Sequence, residues 1–233
     1  MKVNFILQNI YRVIKTYIIT VHNNPNHLKR LINRLNDNKS KFYIHVDLKS
    51  DIKSFKDIID LSNVEFIKER VNCIWGDFSQ VMATINLLRY AILNKNHNSK
   101  IIFLSGQDYS IKSLYDIDKY LIENKKNEFI SFDNDPFEKS FVYKQRVHQY
   151  KINKSDKRLD FVFLNPILSS DFNNLKLFIK LILKRKIKIK ETFGFLKIKR
   201  KLIFKKQYKG SNWFALNYST VNSILDFIEK NKV

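Results

Sequence analysis

The sequence predicts an α/β fold with a doubly wound, mostly parallel sheet and helices on its faces. Short apolar runs rich in β-branched residues alternate with segments of helical periodicity, as in consecutive β-α-β units. Polar clusters directly follow three of these runs, and ligands of such sheets bind outside the carboxyl ends of the strands. With 4 Gly and 3 Pro in 233 residues, collagen-like and linker-rich architectures are excluded.

The first half of the chain gives the clearest elements. Apolar runs predict strands over Thr16–Val21, Lys41–Val46, Val64–Ile67, Lys100–Leu104 and Glu128–Phe132. Helical spacing predicts helices over His27–Leu35, Ile52–Leu61, Ser79–Leu93 and Ser113–Ile122. Asn26 is the expected cap of the first helix and Ser113 that of the last. The helix over Ser79–Leu93 is expected to bury Val81, Ile85, Leu88 and Ile92.

The second half is less regular. Asp133–Lys157 has no clean period, and Asn173–Lys190 has the pattern of a cationic amphipathic helix. Apolar and basic residues alternate over Phe193–Tyr208, which predicts strand pieces. Gly210–Leu216 predicts a turn that becomes a strand, and Ser219–Lys230 predicts a terminal helix.

The formal net charge of +21 admits several partners. Lys and Arg neutralise phosphates in nucleic acids, in anionic membranes and in phosphorylated small molecules. Lys, Asn and Ile are abundant along the whole chain, so the codon bias of an AT-rich genome explains the charge equally well. No nucleic-acid module motif accompanies it, and we expect no nucleic-acid partner.

One cysteine, Cys73, excludes an internal disulfide framework and a zinc site built on cysteines, and suits a reducing compartment. Met1–Lys15 lacks the continuous apolar core and cleavage site of a secretory leader. No run reaches the roughly 18 apolar residues of a spanning helix. We therefore expect a cytoplasmic protein, or one peripheral to the inner face of a membrane.

Three polar clusters are expected to line one crevice: Val21-His22-Asn23, Asp47-Leu48-Lys49 and Ser105-Gly106-Gln107-Asp108. His22 suits either a ligand contact or acid–base chemistry, and equally a histidine bonded to backbone at a strand end. His45, inside a strand, is expected to be structural. His27 and His97 are expected at the surface.

Asp47 suits hydrogen bonds from a ribose or a uracil, and equally a helix cap. A metal–nucleotide site of the Asp-x-Asp type needs a second carboxylate, but this chain has Lys49 there, which repels a metal and can balance phosphate charge. Asp108 follows Gly106, which permits close approach of a ligand to the backbone; the alternative is a tight loop that Asp108 caps. Phosphate-binding glycine motifs and the nucleophile elbow are absent.

A basic tract runs from Lys176 to Lys209, with Glu191 as its only acid. Phe193, Phe195, Phe204 and Tyr208 lie among its cations. An anionic membrane surface or a nucleic acid fits this composition, and a solvated basic face is the alternative.

Four segments together resemble the core-2/I-branching β-1,6-N-acetylglucosaminyltransferase and peptide O-xylosyltransferase family, glycosyltransferase family 14. They are YIITVHNNPNHLKR with FYIHVDLKS (17–30 and 42–50), the W-G-D-F-S-x-V-x-A-T core (75–84), IFLSGQDYSIKS (102–113) and GSNWFAL (210–216). The last two are similar to the family's L-S-G-x-D-[YF]-P-I-K and G-S-x-W-F, with Ser110 in place of the usual proline. The likeness spans nearly the whole chain.

The resemblance implies a GT-A type fold and inverting transfer from a UDP-sugar, of the N-acetylglucosamine or xylose type, to a glycan or protein hydroxyl. It implies no metal cofactor. From the missing membrane anchor and the compact chain, we expect a role in bacterial-type surface glycan synthesis. It places Val21, His22, Asn23, Asp47, Leu48, Lys49, Trp75 and Asp108 on the donor side, and Arg146 and Trp213 on the acceptor side.

We predict a single domain over residues 1–233, with a nucleotide-binding part at about 16–132 and an acceptor-side, basic region at about 133–233. In the family, the catalytic base is a Glu in a Pro-Asp-Glu-like segment, which follows the G-S-x-W-F strand and the next helix. This chain has no counterpart of that Glu, and none of the basic residues that follow it in the family and neutralise the diphosphate. Since an inverting transferase needs a base, the chain is expected to be C-terminally truncated and poorly active. The alternative is a non-catalytic nucleotide-sugar or glycan-binding remnant.

Overall fold

Two units make up the protein. The computed structural model describes residues 14–37, 39–93, 95–133, 141–200, 204 and 206–231. Unit 1 spans residues 1–131 and 211–233, and unit 2 spans residues 132–210. The single-domain organisation expected from the sequence stays a prediction.

Eight strands and eight α-helices lie in the described residues. The strands are β1 (Ile14–Val21), β2 (Ser40–Val46), β3 (Val64–Phe66), β4 (Ser99–Ser105), β5 (Phe129–Phe132), β6 (Tyr150–Asn153), β7 (Phe161–Leu164) and β8 (Gly210–Asn217). The α-helices are α1 (Pro25–Leu35), α2 (Lys53–Lys56), α3 (Phe78–Leu93), α4 (Leu114–Glu123), α5 (Phe141–Tyr143), α6 (Phe172–Leu183), α7 (Ile189–Phe195) and α8 (Tyr218–Asn231). A π-helical turn (Lys144–His148) and a 3₁₀ turn (Ile167–Ser169) complete them.

The main sheet has six strands in the order β3-β2-β1-β4-β8-β5. β1 pairs in parallel with both β2 and β4, β2 pairs in parallel with β3, and β8 runs antiparallel to β4. The predicted α/β class, with a mostly parallel, doubly wound sheet, is confirmed. The strand order reverses at β1, because β2 and β3 lie on one side of it and β4 on the other.

Each face of the sheet carries its own apolar core. Successive strand residues point to opposite faces, so Ile19 packs against α1 and Phe55, whereas its neighbour Ile18 packs against α3 and α8. Both faces of β1 are therefore buried, which is why its sequence is a continuous apolar run instead of an alternating one.

Two helices of unit 1 differ from their predicted bounds. α1 is capped by Asn24, not by Asn26; the Asn24 side chain accepts from the His27 amide, and Pro25 opens the helix. α2 covers only four residues of the helix predicted over Ile52–Leu61. Asp57 and Asp60 would lie near the negative end of a longer helix, which the helix dipole disfavours.

The buried face of α3 differs in part from the expected one. Ile85 and Leu88 are buried as predicted, and Ile92 packs against the same core, but Val81 is 48% exposed. Ala83, Leu87 and Ala91 complete the buried face. The small side chains of the two alanines let the helix approach the sheet closely.

Unit 2 has its own small core beside a two-stranded antiparallel sheet, β6 and β7. Leu164, Phe178, Leu181, Ile187 and Phe195 are buried together there. The predicted helix over Asn173–Lys190 ends at Leu183, because Arg185 takes a left-handed conformation and the chain turns back to bury Ile187.

The strand pieces predicted over Phe193–Tyr208 are wrong in the described residues. Phe193 and Phe195 belong to α7, and no described residue of this stretch lies in a strand. Residues 201–203 and 205 of this stretch lie outside the described residues. So do residues 1–13 of Met1–Lys15, the segment in which no secretory leader was predicted. No helix among the described residues has the length and apolarity needed to cross a membrane.

Candidate functional site

The carboxyl ends of β1, β2 and β4 meet at the reversal of strand order, where doubly wound sheets bind ligands. The Asp47 amide donates to the Val21 carbonyl at 2.8 Å, and the Gly106 amide donates to the Thr20 carbonyl at 2.8 Å. These backbone bonds bring the three predicted polar clusters to one edge of the sheet, which we call the switch edge.

Side chains of the first and third clusters contact each other directly. The Gln107 side-chain amide donates to Asn23 Oδ1 at 2.7 Å. Ser50 Oγ donates to the His22 carbonyl at 2.6 Å and so joins the second cluster to the first. His22 and Asn23 are both exposed, so their side chains are accessible to a ligand at the switch edge.

Asp47 is buried, and its carboxylate faces the turn that follows β2. Its Oδ1 accepts from the Lys49 amide at 2.9 Å, and its Oδ2 lies 3.8 Å from the Lys49 ammonium. Asp47 therefore acts as a cap, as one of its two predicted roles requires, but it caps the turn Leu48–Ser50 and not a helix. Leu48 is exposed, and its amide donates to the Val71 carbonyl at 3.0 Å.

Arg70 is the residue of the switch edge that the sequence analysis missed. Its guanidinium donates to the Val46 carbonyl at 2.9 Å, the Asp47 carbonyl at 2.7 Å and the Ser50 carbonyl at 2.6 Å. One planar fork thus fixes the whole loop that carries Asp47 and Lys49. Nothing in the neighbouring sequence signals this, since the partners lie 20 to 24 positions away.

The segment that leads to Trp75 is tied to the same loop. Lys49 Nζ donates to the Cys73 carbonyl at 2.5 Å. His45 Nε2 accepts from the Val71 amide at 2.9 Å, in keeping with the structural role predicted for it. Burial lowers the pKa of the His45 imidazole more than the nearby Asp47 charge raises it, so the ring is neutral and able to accept.

Trp75 and Cys73 differ in what they offer a ligand. The Trp75 side chain is half exposed and lies close in sequence to the anchored Cys73. Burial raises the pKa of the Cys73 thiol from 9.0 to about 11, so the thiol stays protonated at neutral pH. A protonated thiol is a poor nucleophile and a poor metal ligand.

Asp108 connects the end of β4 with β8. Its Oδ2 accepts from the Ser105 amide at 2.7 Å and from the Trp213 indole N–H at 2.7 Å. His27 Nε2 lies 3.1 Å from the Asp108 carbonyl, so this histidine is part of the site and is only partly exposed. Asp108 thus caps the loop after β4, which was one of its two predicted roles. Its bond to Trp213 was not predicted from the sequence.

Position 106 requires a glycine because of packing within the protein, whereas the sequence suggested close approach of a ligand. A Cβ at this position would lie 2.5 Å from Val21 Cγ2 and 2.8 Å from Val21 Cβ. The glycine therefore permits close packing of the β4 end on β1, and the close approach seen is to a side chain of the protein itself.

Trp213 is half exposed beside an open surface pocket formed by β4, β5 and β8 of unit 1. Leu104, Phe129, Ile130 and Ala215 contribute to its lining. Arg146 lies in unit 2, in the π-helical turn, and is exposed. Its acceptor role and that of Trp213 stay predictions.

Metal ligands do not cluster in the described part of the chain. No group of three or more His, Cys, Asp or Glu side chains there could hold a metal ion. At the switch edge, the Lys49 ammonium lies 3.8 Å from the Asp47 carboxylate, and the Arg70 guanidinium bonds the Asp47 carbonyl.

Comparison with known proteins gives the family of the chain. The family described as Core-2/I-branching enzyme matches residues 16–232. A probable β-1,3-galactosyl-O-glycosyl-glycoprotein β-1,6-N-acetylglucosaminyltransferase 7 of Sus scrofa is 28% identical over 117 residues, which cover 48% of this chain and 27% of that protein. The matched part is thus about a quarter of the relative's length. The family match covers both the switch edge and the β8 strand with Trp213, and the chain belongs to the Core-2/I-branching enzyme family.

Proposed function

We propose that this protein is an inverting glycosyltransferase that transfers a sugar from a UDP-sugar to a hydroxyl of a glycan or glycoprotein, without a metal cofactor. The observation that carries the proposal is the convergence of the three polar clusters at the switch edge of a family member. N-acetylglucosamine is the favoured sugar, because the Sus scrofa relative is named for its transfer. Xylose is the other donor type that the sequence resemblance implies.

The donor side would use Asp47 and Lys49 together. The Asp47 turn holds the loop, while the Lys49 ammonium, 3.8 Å from Asp47 Oδ2, supplies a positive charge at the edge where a diphosphate would lie. A lysine can offset developing phosphate charge without a divalent ion. This favours a metal-independent donor site. His22, Asn23 and Trp75 would contact the nucleotide.

The acceptor side would use Trp213. Its ring is held by the bond from its indole N–H to Asp108 and still exposes half of its surface, which suits packing against the apolar face of a sugar ring. In the transfer step, the acceptor hydroxyl oxygen bonds to the anomeric carbon. The bond from that carbon to the β-phosphate oxygen breaks, UDP departs with the electron pair, and a base takes the hydroxyl proton.

A binding module without turnover is the second candidate. The bonding of Asp108 favours this candidate. Asp108 Oδ2 already accepts hydrogen bonds from the Ser105 amide and the Trp213 indole, so this oxygen is not free to take a proton from an acceptor hydroxyl. Such a protein would bind the nucleotide-sugar through the same residues.

Calorimetric titration with UDP and a turnover assay with radiolabelled UDP-sugars test both candidates. We expect UDP to bind the wild-type chain and Lys49→Gln to weaken the affinity about tenfold, or about 1.4 kcal/mol. The exposed Lys230→Gln in α8 is the matched control and should leave the affinity unchanged.

The combined results separate the candidates. UDP binding with EDTA-resistant transfer supports the proposed enzyme. UDP binding without transfer from UDP-N-acetylglucosamine or UDP-xylose supports the binding module. Absence of UDP binding, or equal binding by Lys49→Gln and the wild type, contradicts the donor site.

A further inference from the structure

Helix α6 of unit 2 carries a wide apolar arc, only part of which is buried. Phe178 and Leu181 are buried in the core of the unit. At 100° per residue, Phe172, Leu175, Ile179 and Leu183 form a second line, about 135° around the helix from the buried pair. We call these four residues the outward stripe. Their exposed fractions are 78%, 40%, 50% and 79%, respectively.

A stripe of this kind is unusual for a helix that faces only water. A surface helix normally buries one apolar stripe and carries polar residues on the opposite side. Single exposed apolar residues need no explanation, but a continuous line over three turns marks a surface that contacts something.

Cations border the stripe and follow its end. Lys176 and Lys180 lie on one flank of it and are exposed. Lys184, Arg185 and Lys186 come directly after Leu183. They are held in a tight turn in which the Arg185 amide donates to the Ile182 carbonyl at 2.8 Å and the Lys186 amide to the Leu181 carbonyl at 2.9 Å. No acid lies between Lys176 and Lys190 in the sequence.

We propose that the outward stripe inserts into an anionic lipid bilayer, with its basic neighbours against the lipid headgroups. Amphipathic helices that lie in a membrane interface combine an apolar line with flanking Lys and Arg in this way. Here Asn173, Lys176 and Lys180 stay exposed, and Phe178 and Leu181 pack in the core of unit 2, so the helix presents its outward stripe without leaving the protein.

The observations favour lipid over two other occupants. A second copy of the chain would bring equal basic flanks together, and like charges repel. A nucleic acid would bind the lysines and could stack on Phe172, but it would leave Leu175, Ile179 and Leu183 in water, since aliphatic side chains give no stacking platform. An anionic lipid bilayer satisfies both the stripe and its flanks.

The test is flotation of the full chain with vesicles of phosphatidylcholine, with and without about 30 mol% phosphatidylglycerol. We expect binding only to the anionic vesicles, with part of it retained in about 0.5 M salt, because apolar insertion is not screened. Ile179→Ser/Leu183→Ser should lower the partition coefficient at least about tenfold, since it removes two inserted apolar side chains.

The matched control is Leu93→Ser/Ile111→Ser, which removes two side chains of unit 1 that are 65% and 90% exposed. It should bind vesicles as the wild type does. Equal binding by the stripe variant and the wild type, or complete loss of wild-type binding in salt, would overturn the insertion. A wild-type dimer that the stripe variant converts to a monomer, measured by light scattering without vesicles, would assign the stripe to a second copy instead.

A tryptophan variant tests the proposal even if the double serine variant fails to fold. Leu183→Trp should shift its emission to the blue and become quenched by brominated lipid when anionic vesicles are added. Ile111→Trp should not. An unchanged spectrum of Leu183→Trp in the presence of bound vesicles would contradict the proposal.

Discussion

At the scale of single residues, the switch edge is organised by side chains that bond backbone carbonyls. Arg70 holds three carbonyls of the loop after β2, Ser50 holds that of His22, and Lys49 holds that of Cys73. A loop fixed in this way would present Lys49 to the proposed UDP donor without further ordering, which would lower the entropic cost of binding.

Arg70 is expected to position the donor site. Arg70→Ala leaves the carbonyls of Val46, Asp47 and Ser50 without their donor, so we expect unfolding to become easier by about 2 kcal/mol. UDP affinity should fall about tenfold, because the loop that carries Asp47 and Lys49 is no longer held in one conformation before UDP binds. Urea unfolding and calorimetric titration measure the two effects.

Two variants control for this prediction. Arg70→Lys keeps the charge but not the planar fork, and should recover only part of the affinity. Arg89→Ala removes an exposed arginine that bonds Asn86 within α3, and should change neither quantity. If Arg70→Ala behaves as Arg89→Ala does, the positioning role is wrong.

Gly106 and Gly194 form a matched pair of glycines. Gly106→Ala places a Cβ 2.5 Å from Val21 Cγ2, and we expect a loss of about 1–3 kcal/mol in the free energy of unfolding. Gly194 lies in α7, and beyond its chain neighbours and its own helix backbone no atom lies within 4 Å of an added Cβ, so Gly194→Ala should stabilise by about 0.5–1 kcal/mol. Denaturant unfolding of both variants should therefore give changes of opposite sign.

At the scale of elements, three helices begin at a residue whose side chain accepts a hydrogen bond from an amide of the first turn. Ser113 accepts from the Asp116 amide in α4, Asp171 accepts from the Asn174 amide in α6, and Asn24 does the same for His27 in α1. α1 matters for the site because His27, in its first turn, reaches the Asp108 carbonyl. A stable start of α1 thus supports the contact between α1 and the end of β4.

Asn24 serves α1 in two ways, which substitutions can separate. It caps the helix, and it has a φ of 54°, in the left-handed region. Asn24→Ala loses the cap and strains the backbone, with an expected cost of about 2 kcal/mol. Asn24→Gly loses the cap but accepts the φ, with a cost of a few tenths. Thermal unfolding that gives equal losses for the two would contradict this division.

At the scale of the whole molecule, a buried ion cluster joins distant parts of unit 1. The Lys15 ammonium, at the start of β1, bonds Asp37 after α1 at 2.6 Å and also bonds Asp118 of α4. Lys15 is completely buried, so removal of a partner leaves an uncompensated charge. The cluster stabilises the end of the sheet opposite to the switch edge.

Acid should weaken this cluster. Burial raises the pKa of the Asp37 carboxyl, but hydrogen bonds from Lys15 and Ser40 together with the Lys15 charge outweigh burial and bring the pKa below 3.8. A carboxyl with a depressed folded-state pKa contributes full stability above its unfolded value and loses it as the pH falls through the folded value. We expect Asp37→Asn to cost about 2 kcal/mol at neutral pH and progressively less below about pH 4.

Urea unfolding of the wild type and Asp37→Asn at several pH values measures this difference. Asp226→Asn, exposed on α8, is the control and should follow the wild type at every pH. A difference between the wild type and Asp37→Asn that stays constant down to pH 3 would contradict the ionic origin.

The fold class and the place of the site could be predicted because they depend on local patterns. Continuous apolar runs separated by helical spacing dictate buried parallel strands, and polar residues after β1, β2 and β4 must then meet at one edge. The family likeness rests on the same local segments. Helix ends were predicted less well, since Arg185 and Asn24 take left-handed conformations that residue spacing does not reveal.

Tertiary structure alone decided which side chains join these segments. Trp213 and Asp108 are 105 positions apart, and Arg70 reaches a loop that precedes it by 20 or more. It also decided which part of the wide apolar arc of α6 is buried, because the sequence does not distinguish the parts and only the position of the unit 2 core does. Periodicity thus fixed the elements of this protein, whereas packing between elements distant in sequence fixed the partners of Asp108 and Arg70 and left the outward stripe exposed.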